Sequence, residues 1–76
     1  MPGPSNDDLP SSLSDDAAFA VAEILEEYAP VNADDYARLA DEAEAGAAAF
    51  EGGPALAREV ASELRRRAQA LRDASR

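Results

Sequence analysis

Two interruptions divide this sequence into three helical segments. Pro30 ends the first segment, because proline lacks a backbone donor and its ring clashes with the preceding helical turn. Gly52 and Gly53 end the second segment, and Pro54 is favoured at the first position of a new helix. These breaks predict helices over residues 14–29, 33–51 and 54–74.

The apolar residues of each segment recur at the spacing of one helix face. In the first segment they are Ala18, Val21, Ala22, Ile24, Leu25 and Tyr28. In the second they are Tyr36, Leu39, Ala40, Ala43, Ala47 and Phe50. In the third they are Ala57, Val60, Ala61, Leu64, Ala68 and Leu71. Because short turns make neighbouring helices antiparallel, the pattern predicts an all-α, up-down-up three-helix bundle. A helical hairpin that dimerises is the alternative.

A proline-rich, acidic start precedes the helical segments. Residues 1–12 contain three of the five prolines and show no apolar periodicity. Such composition predicts a flexible, disordered tail. Residues 13–76 then form a single small helical domain.

Charge is sorted along the chain. Residues 1–51 hold thirteen of the sixteen acids and a single base, Arg38, whereas residues 52–76 hold three acids and six arginines. The overall charge of −9 repels nucleic-acid backbones and anionic membranes over most of the surface. The sorting predicts that the basic third helix lies against the acidic front half of the chain.

The composition excludes most catalytic and metal chemistry. The chain has no cysteine, histidine or lysine, so thiol nucleophiles, imidazole bases and the usual soft metal ligands are missing. We therefore expect a protein that is not an enzyme and has no catalytic, metal-binding or cofactor-binding residues. No apolar run approaches the roughly 20 residues that span a bilayer. A cytoplasmic protein without a membrane contact is the expectation.

Five residues are candidate contacts for a partner. Phe19 falls among carboxylates on the face of the first helix that lies away from the apolar stripe, as interface aromatics often do. The others form a basic strip on the third helix and are Arg58, Arg65, Arg66 and Arg72. The alternative for Phe19 is cover by Leu9, Leu13 or the third helix. The alternative for the arginines is pairing with the carboxylates of the first two helices.

These features predict a non-catalytic, acidic helical protein that acts through protein–protein interaction, as a regulator, adaptor or accessory subunit. Self-association as a homodimer is expected, because thirteen large apolar residues are few for a free-standing domain of this length. An acidic inhibitor or antitoxin-like protein that mimics nucleic acid is one alternative. A basic-helix nucleic-acid binder is the other, and the charge balance disfavours it.

Overall fold

A computed structural model of the chain describes residues 13–75, and these residues contain only helical elements and turns. The elements are α1 (Asp15–Tyr28), α2 (Ala33–Ala45), a short 3-10 turn (Ala47–Ala49) and α3 (Pro54–Ala74). The prediction of an all-α chain is confirmed. The predicted flexible tail, residues 1–12, lies outside the described residues, and so does the predicted contact of its Leu9 with Phe19.

Side-chain caps fix the starts of the first two helices. The Ser14 hydroxyl accepts a hydrogen bond from the Ala17 N–H at 3.1 Å, and the Asn32 side-chain oxygen accepts one from the Asp35 N–H at 2.9 Å. Each cap satisfies one of the four backbone donors that the first turn leaves free. Pro54 begins α3, as the sequence predicts.

The second helix ends at Ala45 and does not continue to Glu51. The backbone of Gly46 leaves α-helical geometry, and the chain makes the 3-10 turn before it becomes extended at Phe50. Glycine lowers helix propensity, and the three alanines that follow offer little apolar surface to hold a longer helix in place. The turn allows Phe50 to pack against the core.

The core is built around α3. Its Val60 and Leu64, together with Val21 of α1, are the largest fully buried side chains. Both α1 and α2 pack on α3, but no Cα atom of α1 lies within 8 Å of a Cα atom of α2. The arrangement of the three helices as an up-down-up bundle stays a prediction.

The buried face of α1 is rotated from the predicted stripe. Ala17 is fully buried and Ala20 is half-buried, whereas Ala18 and Ala22 are exposed. Val21, Ile24 and Leu25 can be buried with either pair of alanines beside them, because an alanine adds little apolar area to the helix face on which it lies. The approach of α1 to α3 selects the side of Ala17.

Replacing Gly52 with alanine is expected to lower the free energy of unfolding by about 1–3 kcal/mol. Gly52 has φ of 101°, which strains any residue with a Cβ, and an added Cβ would also collide with the Leu56 side chain. Gly46 is the matched control: its φ is −97° and its Cβ position is free of close contacts, so Gly46→Ala should be neutral or stabilising by up to about 1 kcal/mol. Urea unfolding followed by circular dichroism measures both. Equal losses would show that the turn geometry is wrong.

Candidate interaction groove

A groove lies along α1, with residues 50–51 on its far side at one end and α2 on its far side over the rest, where the two helix backbones stand apart. Three connected hollows of about 250, 300 and 270 Å³ make up this groove. Ile24, Tyr28 and Phe50 line the first two hollows, and Tyr28 and Leu39 line the last two. Because the hollows share these residues, they form one surface, which we call the α1/α2 groove.

The floor of the α1/α2 groove is apolar. Ile24, Leu39 and Phe50 pack against the buried core and remain partly accessible. Tyr28 is more open, with 59% of its surface exposed. Such an accessible apolar floor provides a surface that another protein can cover.

The rim of the groove is acidic. Five carboxylates and one guanidinium line it, with a formal net charge of −4; they are Glu23, Glu27, Asp35, Glu42, Glu51 and Arg38. Arg38 is already paired with Asp35 at 3.4 Å. Among residues 13–75 the four glutamates have no ion-pair partner within 4 Å. The groove therefore presents apolar surface between free negative charges.

Two of the predicted contact arginines hold α3 against α2. Arg65 donates hydrogen bonds to the carboxylates of Asp41 at 2.9 Å and Glu44 at 2.8 Å, and Arg72 lies 3.5 Å from Asp34. The hydrogen bond between Arg65 and Glu44 has the largest effect on the pKa values of both groups. It lowers the pKa of Glu44 and raises the pKa of Arg65. Exposed pairs of this kind stabilise little individually, so they chiefly fix how α2 is aligned on α3.

Arg66 holds a buried carboxylate on its own helix. The Glu63 side chain is only 3% exposed, and the Arg66 guanidinium donates two hydrogen bonds to its carboxylate, at 2.9 and 2.7 Å. Arg67 adds a third hydrogen bond at 2.7 Å. One turn earlier on α3, the Glu59 carboxylate accepts hydrogen bonds from the N–H and the hydroxyl of Ser14. This side of α3 therefore meets the start of α1.

The spacing of Glu63 from Arg66 and Arg67, i+3 and i+4, is that of ion pairs along one helix, but the sequence does not signal that the carboxylate is buried. The hydrogen bonds from Arg66, and then those from Arg67, lower the pKa of Glu63 and outweigh the opposing effect of burial. The Arg66 side chain is 54% exposed, and its guanidinium is engaged with Glu63 on the same helix. Arg58 is exposed and has no ion-pair partner within 4 Å in the described part of the chain.

Glu63→Gln is expected to lower the free energy of unfolding by about 1–2 kcal/mol at neutral pH, because charge-assisted hydrogen bonds become neutral ones. The folded pKa of Glu63 is depressed, so its stabilising effect is complete above the ordinary value of 4.5 and is lost as the pH falls through the folded value. The difference between the two proteins should therefore shrink below pH 4.5. Urea titrations at several pH values measure it, with exposed Glu26→Gln as control. A difference that does not change with pH would contradict the ion-pair assignment.

Phe19 lies on the outer face of α1, away from the core, and lines none of the three hollows of the groove. Its surface is 66% exposed, and no described residue covers it. Leu13, one of the two residues predicted to cover it, packs against the core. The structure thus separates Phe19 from the groove, from the paired arginines and from the exposed Arg58 on α3.

A larger hollow, of about 630 Å³, lies where the α1–α2 turn meets the end of α3. Its lining includes the polar side chains of Asn32, Asp34, Arg72 and Ser75. Arg72 and Asp34 are the partners of an ion pair that joins α3 to α2, and the large apolar residues of the lining, Val31 and Leu71, are exposed and lie outside the core cluster. The floor of the α1/α2 groove, by contrast, consists of Ile24, Leu39 and Phe50, which pack directly on the buried core, and this makes the groove the stronger candidate for a binding surface.

Sequence reasoning placed the floor residues correctly on apolar faces but assigned them to a closed core. Periodicity assigns Tyr28 and Leu39 to the buried faces of their helices, whereas Tyr28 is exposed and Leu39 is half-buried. One signal was present: Glu23 and Glu27 flank Ile24 on α1, and such carboxylates would be desolvated if another helix covered that side.

No protein-family model matches the chain, and comparisons with curated proteins and with solved structures also found no match. None of the helices in residues 13–75 combines the length and the apolar character needed to cross a membrane. The same residues hold no group of three or more carboxylates arranged to bind a metal ion. Functional inference therefore depends on the geometry and charge of the surface.

Proposed function

We propose that this protein is a non-catalytic protein–protein interaction module, a regulator, adaptor or accessory subunit that binds its partner in the α1/α2 groove. The observation that carries the proposal is the apolar floor of Ile24, Leu39 and Phe50, which stays accessible because the backbones of α1 and α2 both lie close to α3 but not to each other. A groove between two helices accepts a third helix or an extended segment of a partner.

The two alternatives from the sequence receive less support. A nucleic-acid mimic needs an acidic surface but has no use for an apolar floor. A basic-helix nucleic-acid binder needs free arginines, whereas Arg65, Arg66 and Arg72 are engaged with carboxylates of this chain. Phosphate binding through α3 would first have to break those pairs.

Site-specific photo-crosslinking in the native host tests the proposal. A photo-reactive amino acid at Leu39 lies in the groove, and the same group at Glu26 lies at an exposed position of α1 that lines none of the three hollows of the groove. We expect a discrete protein adduct from position 39 that is absent from position 26. Adducts to nucleic acid, or protein adducts of the same identity from both positions, would contradict the groove as the binding surface.

Self-association through Phe19 is a second candidate interaction, favoured by the exposure of that ring. A homodimer across the outer face of α1 would cover Phe19 and leave the groove open. Phe19→Asp should then shift the protein from dimer to monomer in sedimentation velocity with little change in helix content, because the ring makes no core contact. A wild-type protein that is monomeric at high micromolar concentration would refute the homodimer.

A further inference from the structure

We infer that the occupant of the α1/α2 groove is an amphipathic helix of another protein with Lys or Arg on both sides of its apolar stripe. This inference rests on the proposed function and adds the chemical class of the partner. It follows from the joint presence of an apolar floor and free carboxylates on both walls of the groove.

The length of the groove sets the length of the partner stripe. On α1 the lining extends from Ala20 to Tyr28, which at 1.5 Å per residue is about 12 Å, or roughly two helical turns. A partner helix of that reach offers three or four apolar anchors at the i, i+3 or i+4, and i+7 positions. Ile24 and Phe50 meet the anchors at one end, and Tyr28 and Leu39 meet them at the other.

The charge of the rim selects a basic partner. Glu23 and Glu27 lie on the α1 wall, Glu42 lies on the α2 wall, and Glu51 stands at the end of the groove beside Phe50. A neutral or acidic helix would desolvate these carboxylates without compensation, whereas Lys or Arg at the flanking positions would pair with them. The only base on the rim, Arg38, is held by Asp35.

The same charges disfavour occupants from the chain itself. Two grooves that met face to face in a symmetric dimer would bring their glutamates together, which is repulsive. Residues 1–12 carry Asp7 and Asp8 and no Lys or Arg, so they lack the complementary charge. The arginines that flank the apolar face of α3 are largely paired within the chain.

A display selection with the full chain tests the inference. The library consists of 16-residue helices with a fixed leucine stripe and with flanking positions randomised among Arg, Gln and Glu. We expect selected sequences to carry Arg at the flanks about tenfold more often than Glu, as several weak ion pairs would produce. Tyr28→Ala should abolish enrichment, and Phe19→Ala should leave it unchanged.

A charge-swapped variant makes the test decisive. Glu27→Arg combined with Glu42→Arg reverses charge on both walls at exposed positions and should exchange the preference from Arg to Glu. Enrichment that ignores flank charge would overturn this inference and leave the interaction module standing. Failure of every library sequence to bind would overturn both. Selected helices that still bind Tyr28→Ala would place the basic partner elsewhere and overturn the inference.

Discussion

Replacing Leu64 with alanine should remove about 3–5 kcal/mol of folding stability, the largest loss that we expect from a single truncation in this chain. Leu64 is fully buried at the centre of α3, among alanines that are too small to fill the resulting cavity. Domains of this size have only about 3–9 kcal/mol of stability in total. The variant should therefore be largely unfolded at 37 °C.

Leu71 is the matched control for Leu64. It has the same side chain, lies two turns later on α3, and is 38% exposed near the end of the helix. Leu71→Ala should cost only about 1–2 kcal/mol, because more than a third of the residue's surface already contacts water and no closed cavity is left at the helix end. Thermal and urea unfolding by circular dichroism compare the two variants. Equal losses would show that α3 does not pack through Leu64.

Tyr28→Ala is expected to weaken binding of the partner helix by about thirtyfold or more, as truncation of a central interface aromatic typically does. Tyr28 lines all three hollows of the groove, and its exposure means that its removal costs little folding stability. Binding is measured by fluorescence anisotropy with a labelled helix from the selection. Unfolding curves of the variant should overlay those of the wild type closely.

Phe19→Ala is the matched control for Tyr28. Both residues are aromatic, both lie on α1, and their exposed fractions are 66% and 59%. Only Tyr28 faces the groove, so Phe19→Ala should leave the affinity within about twofold. If Phe19→Ala is the damaging change and Tyr28→Ala is not, the outer face of α1 is the partner surface, as the sequence alone suggested.

The sequence identifies the helices because their breaks are local chemistry. Pro30 and the Gly52-Gly53-Pro54 turn act within a few residues, so α3 runs over Pro54–Ala74 as predicted. The end of α2 was missed because Gly46 alone is only weakly unfavourable in a helix. What decides the outcome is the packing of Phe50 after the turn, and that contact joins distant elements.

The depth of the groove and the burial of Glu63 could not be predicted from the sequence. Periodicity shows that Ile24 and Leu39 lie on apolar faces, but it contains no information on the distance between α1 and α2. Both helices pack on α3, and the small buried residues of α3, such as Ala57 and Ala61, allow α1 and α2 to approach it closely. Likewise, a glutamate such as Glu63 is expected on the surface. Its burial, with a side chain that is only 3% exposed, results from helix packing that the sequence does not show.

Methyl NMR of the full chain, titrated with a selected basic helix, tests the central claim most directly. The claim predicts large shifts for the methyl groups of Ile24 and Leu39 in the groove, with small shifts for Val31, which is exposed in the α1–α2 turn outside it. The aromatic resonances of Phe19 should stay in place during the same titration. Shifts concentrated at Phe19 or Val31, with Ile24 and Leu39 unmoved, would contradict the claim that this protein binds its partner between α1 and α2.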